Sequence, residues 1–136
     1  MKTISHHAAL VYVMVVVSAA DGAMNDKELK AIGDLTRTLP VFNGFDRDRL
    51  LILAQDCSSI LQEEDGLAAV LGLVKEALLE PLRETAYWLA LEIALSDTKV
   101  KLEEVRIIEA LRRALGLDRL VTAALERGAR ARYQVA

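Results

Sequence analysis

Residues 9–28, ALVYVMVVVSAADGAMNDKE, admit three readings. The apolar run followed by Val17, Ser18 and Ala19 has the outline of a secretory signal. It also has the character of a membrane span. Equally, it reads as a buried helix running into an acidic loop from Asp21 to Glu28. A signal peptide needs a basic start, roughly 7–15 apolar residues and a small-residue cleavage site, and Lys2, Ala8 to Val17 and Ser18-Ala19-Ala20 meet that loosely. A membrane-spanning helix needs about 20 apolar residues, whereas the run from Ala8 to Ala20 holds 13.

The chain decides the matter by doing something similar twice. A shift of 76 positions lays Tyr12 on Trp88, Val13 on Leu89, Val17 on Ile93, Ala19 on Leu95 and Asp21 on Asp97. It continues with Glu28 on Glu104, Ile32 on Ile108, Leu35 on Leu111 and Leu39 on Leu115. The second copy lies mid-chain, where no signal operates, so the first is expected to be a core helix of a cytoplasmic protein.

Bulk properties agree with a helical globule. The chain has 136 residues, 53% of them hydrophobic, with two prolines, seven glycines and 4% aromatics. Leu, Ala, Glu, Arg and Lys dominate, and these are strong helix formers. A chain this long buries roughly 65–70% of its unfolded surface, enough for its own core, and no composition shift marks a boundary, so residues 1–136 read as a single domain. Net charge is −3, from 17 basic and 20 acidic residues, which points away from nucleic acid. The lone Cys57 excludes an intrachain disulfide and fits a reducing compartment.

Periodicity predicts an all-α compact bundle of about seven helices, with a pseudo-twofold repeated helix pair. The spans are about 3–20, 26–39, 46–62, 66–79, 82–96, 101–115 and 118–131. The first and fifth are apolar nearly all round and so central. The others carry one stripe each: Leu29, Ile32, Leu35 and Leu39 on the second; Leu102, Val105, Ile108, Leu111 and Leu115 on the sixth; Leu120, Val121, Ala124 and Leu125 on the last. Asn25 followed by Glu28 is a capping-box pattern, Pro40 stops the second helix, Pro81 suits a first turn, and Gly116 supplies a left-handed stop.

Each repeat ends an apolar helix at an Asp and places a Glu seven residues later, Asp21 with Glu28 and Asp97 with Glu104. Such carboxylates in tight loops suit a hard cation, Ca²⁺ or Mg²⁺. The alternative stays open: Glu28 caps Asn25 and Asp21 makes an Asx turn. Elsewhere, Glu92 inside AYWLALEIAL reads as a helix edge reaching water, and Cys57 as a small hydrophobe. Adjacent His6 and His7 diverge by about 100° on a helix and so do not share a metal. The tail ERGARARYQVA reads as a solvated terminus. There is no phosphate-cradling glycine loop, zinc-spaced Cys/His set or nucleophile elbow. A hydrolase or lyase would have to run on the paired carboxylates alone, so a non-catalytic role is expected.

SAADGAMNDKELKAIGDL, with ALSDTKVKLEEVRIIEALRRALGL after it, resembles the tellurite-resistance TerB family and its relatives, including a domain attached to some DnaJ-like co-chaperones. The likeness covers roughly residues 8–125, and the family's Ala-Asp-Gly with a Glu six residues on falls on Ala20, Asp21, Gly22 and Glu28. The resemblance implies an all-helical pseudo-twofold fold, a cytoplasmic setting and divalent-cation binding through Asp21, Glu28, Asp97 and Glu104. It implies a role in tellurite or stress resistance with protein partners, in complexes at the inner face of the membrane; homo-oligomerisation stays open. The second copy departs from the pattern, with Thr98 where the first has Gly22 and Lys101 where it has Asn25.

Overall fold

Ser5 starts the first helix by capping it. In a computed structural model, which describes residues 3–20, 22, 24–96 and 100–136, the Ser5 hydroxyl accepts the Ala8 N–H at 3.1 Å. Helix α1, His6–Ser18, then buries every residue from Ala8 to Ser18. The apolar part of that stretch, up to Ser18, is therefore a rod enclosed on all sides, as its lack of a polar face demands. Among the described residues no helix is long and apolar enough to cross a membrane.

Seven α-helices and two short 3-10 turns, with no strand, make up the described residues. After α1 come α2 (Asp26–Thr38), 3-10 turns at Pro40–Phe42 and Arg47–Arg49, α3 (Leu50–Leu61) and α4 (Gly66–Ala77). Helices α5 (Glu80–Ser96), α6 (Leu102–Leu115) and α7 (Arg119–Arg132) follow. The third helix starts later than the predicted residue 46 because Asp46 caps its own 3-10 turn, accepting from the Asp48 N–H at 3.0 Å.

The local stops work as their residues require. Leu39, preceding Pro40, is extended with ψ 139° and ends α2. Gly116 takes φ +67°, and Leu117 N–H donates back to the Arg112 carbonyl at 3.1 Å. Between α3 and α4 the chain reverses so tightly that a Cβ on Gly66 would lie 2.2 Å from the Ile60 carbonyl oxygen.

Helices α1 and α5 pack on each other at the centre, with α3, α4 and α6 also on α1 and α2, α6 and α7 also on α5. The starts of α2 and α6, Asp26 and Leu102, are 76 residues apart. One buried cluster, including Leu10, Met14, Ile32, Val74, Leu89, Ile93 and Leu111, runs through the helices. Each fully buried side chain of this size stabilises the fold by about 1.5–3 kcal/mol.

Two surface stripes are rotated from their predicted phase. On α2 the core-facing set is Glu28, Ile32, Leu35 and Thr36, and on α6 it is Glu104, Ile108, Leu111 and Leu115. Leu29, Leu102 and Val105, predicted inward, are about half exposed at 49%, 59% and 50%. A carboxylate that bonds back to the N-cap amide occupies the inward position of the first turn, and its apolar neighbour faces out. On α7 Leu120 is exposed while Thr122 and Ala129 are buried. Small residues face the core there, because α7 lies close to α5: a Cβ on Gly128 would stand 3.3 Å from the Trp88 ring.

Candidate functional site

The two interhelical turns expected to carry function, α1–α2 and α5–α6, are built from helix ends. Helix α1 closes at Ala19, whose carbonyl accepts the Gly22 N–H at 3.0 Å. Gly22 has φ +100°, a conformation that L side chains rarely adopt. Asn25 is the N-cap of α2: its Oδ1 accepts the Glu28 N–H at 2.8 Å, and Glu28 Oε1 accepts the Asn25 N–H at 3.1 Å. This is the reciprocal capping box predicted from Asn25 and Glu28.

In the second turn only half of that device is available. Glu104 Oε1 accepts the Lys101 N–H at 2.9 Å. A lysine ammonium accepts nothing, and the Glu104 N–H turns instead to the Lys101 carbonyl at 3.0 Å. Both glutamates are buried, Glu28 at 4% and Glu104 at 3% exposure. Burial is more than capping demands, since a capping glutamate needs only to reach one amide.

Of the four acids named as ligands, Glu28 and Glu104 thus stand at matching helix starts. Asp21 and Asp97 lie outside the described residues, as does Thr98. Asp26 and Glu103 flank the turns and are exposed. Among the described residues no group of three or more His, Cys, Asp or Glu side chains is arranged to hold a metal ion. The described donors, the Glu28 carboxylate and the Asn25 amide oxygen, are hard oxygens of the kind Ca²⁺ and Mg²⁺ prefer.

The family model of the tellurite resistance protein TerB matches residues 7–126. The chain belongs to the TerB family. The match runs from the first turn of α1 into α7, so the TerB-like region takes in both acidic turns and all of the central helix pair. No curated protein and no solved structure matches the chain.

Two readings of other residues need correction against this TerB-like fold. Glu92 does not reach water from a helix edge. It is 2% exposed, and Arg132 Nε donates to its Oε1 at 2.5 Å. The C-terminal segment is not solvated throughout: α7 runs to Arg132, and the Glu92 bond raises the Arg132 pKa above its ordinary value. Neither partner was legible as such, because they are 40 residues apart and no local pattern joins them.

Other candidates settle where expected. Cys57 is buried, its Sγ 3.8 Å from the Tyr12 carbonyl oxygen, and burial pushes its thiol pKa up to about 12. That is a packing thiol, held from the thiolate form that nucleophiles need. His7 Nε2 donates to the Val41 carbonyl at 2.9 Å, and its ring stacks on Phe42 and meets the edge of Phe45. Tyr87, unremarked in the sequence, donates its hydroxyl to Glu126 at 2.6 Å. Burial, then that bond, raises its pKa.

Proposed function

We propose that this TerB-family chain is a non-catalytic interaction domain of tellurite or stress resistance, acting in the cytoplasm as one domain over residues 1–136. A divalent cation, Ca²⁺ or Mg²⁺, braces its acidic turns. The observation that carries the reading is the pair of buried capping glutamates, Glu28 and Glu104, held at helix starts by backbone amides. Asp21 and Glu28 are the primary ligands, with Gly22 allowing the backbone to curl toward them. Asp97 and Glu104 form a weaker second site, since the sequence there has Thr98 and Lys101 where the first turn has Gly22 and Asn25. The cation supplies positive charge that draws the carboxylates together and fixes the angle of the helix pair. The exposed apolar residues beside them, Leu29 at the first turn and Leu102 and Val105 at the second, then meet a protein partner in a membrane-associated complex.

A second reading is favoured by the capping bonds themselves: the acids are helix caps only, and the interaction domain is metal-free. Thermal melts with Ca²⁺, Mg²⁺, Mn²⁺ or chelator, on wild type and Asp21→Asn, separate the two. An ion at a hundred times its dissociation constant adds about 2.7 kcal/mol. Stabilisation in wild type that vanishes in Asp21→Asn supports the cation. Superimposable melts under every condition leave the caps as the sole role of the acids.

A further inference from the structure

Away from the acidic turns, a cleft of about 680 Å³ opens between the start of α1 and one edge of α3. Its size is that of a small-molecule site. One wall is Ser5, Ala8 and Tyr12 of α1, and the other carries Leu53, Asp56, Ile60 and Glu63. Ala8 and Tyr12 on α1, and Leu53, Asp56 and Ile60 on α3, recur at three- and four-residue steps and so form one stripe on each helix, with the N-cap Ser5 and the turn residue Glu63 extending them. Phe45 and His7 close one end, and that end is braced because the rings of His7, Phe42 and Phe45 all pack against one another.

Tyr12 makes this more than a groove. It is 4% exposed, yet its hydroxyl bonds to no described residue and is not among the side-chain atoms sealed from solvent without a partner. A tyrosine buried this deeply ordinarily hands its hydroxyl to a partner, as Tyr87 does to Glu126. Burial above all, then the nearby Cys57 and Asp56, raises the Tyr12 pKa, and Asp56 lines the same cleft. The hydroxyl therefore keeps its proton and still offers lone pairs to a donor entering the cleft.

Charge names the class of ligand. The described lining carries Asp46, Asp56 and Glu63 against the cation Arg49, a net negative balance in which Asp56 and Glu63 stand beside Leu53 and Ile60. Asp56 lies within α3 and Glu63 in the turn beyond its last residue, Leu61, so the two carboxylates are seven positions apart along that wall. That separation suits two cationic groups on one chain. Leu53 and Ile60 offer apolar surface for a hydrocarbon stem between the charges. We propose that the α1–α3 cleft binds a linear organic di- or polyamine, its ammonium groups meeting Asp56 and Glu63, one of them donating to the Tyr12 hydroxyl, and its methylenes lying on Leu53 and Ile60.

Calorimetric titration with spermidine at fixed ionic strength tests this. Wild type binds with one-site saturation. Asp56→Asn with Glu63→Gln weakens binding about tenfold or more, because charge-assisted bonds are lost. Tyr12→Phe alone weakens it about threefold, the cost of one neutral acceptor, and keeps the ring in the core. Asp21→Asn, three positions beyond Ser18 in the sequence, leaves binding unchanged and so separates this site from any cation at the turns. The proposal is overturned by an absence of saturable binding. It is equally overturned by Tyr12→Phe binding as wild type does, or by Asp21→Asn weakening spermidine as much as the cleft variants.

Discussion

Arg132→Ala is expected to destabilise the fold more than any other truncation of an exposed terminal side chain. The Glu92 side chain is 3% exposed and that of Arg132 57%. Removing the arginine leaves a buried carboxylate without the guanidinium that neutralises it. Breaking a fully buried ion pair from one side costs about 3–5 kcal/mol. Solvent at the guanidinium screens part of that, which brings the expected loss to about 2 kcal/mol. At this chain length it is a fall of about 6–10 °C in Tm. Glu92→Gln removes the charge while keeping the shape, and should cost about 1 kcal/mol or less. The double variant is then more stable than Arg132→Ala alone, because no buried charge is left stranded. Circular dichroism melts of the four proteins measure this. If Arg132→Ala melts within about 1 °C of wild type, or if the two losses simply add, the tail does not neutralise Glu92 and the reasoning fails.

Three further outcomes follow from single observations. The Ser18 hydroxyl is fully buried with no hydrogen-bond partner among the described residues, and the position 76 residues on is Ala94; Ser18→Ala should raise stability by about 1 kcal/mol in urea denaturation, and a loss instead would mean the hydroxyl is satisfied. Gly66→Ala sets a Cβ against the Ile60 carbonyl and the Leu61 backbone and should cost about 3 kcal/mol or abolish folding, whereas Gly72→Ala, with nothing within 4 Å, should be neutral to stabilising. Burial lifts the Cys57 thiol from 9.0 to about 12, so its contribution to stability is complete below pH 9 and is lost as pH rises toward 12; Cys57→Ala should flatten the alkaline fall in denaturation midpoint, and an unchanged slope would exclude Cys57 as its source.

The helices and their ends were written in the sequence because their causes are local. Asn25 and Glu28 meet within one turn, Pro40 blocks the residue before it, and Gly116 reaches left-handed space without a Cβ to clash. The enclosed state of α1 was also legible, since a run with no polar face has no stable place but a core. Of the candidate site, the capping role of Glu28 could be read from spacing, but its burial could not. Spacing fixes which residues share a helix face, not how far that face is turned toward a neighbour, so it points Leu29 and Val105 inward although the glutamates beside them occupy that position.

What the tertiary structure alone decided are the meetings between residues far apart in the chain: Glu92 with Arg132, Tyr87 with Glu126, and the Cys57 thiol with the Tyr12 carbonyl. Helix propensity and capping act over three or four residues, and a sequence states them directly. Which charge neutralises a buried carboxylate, and which hydroxyl is left facing a cleft, depends on the relative placement of whole helices. That placement comes from the packing of the entire core at once, and no short stretch of this chain contains it.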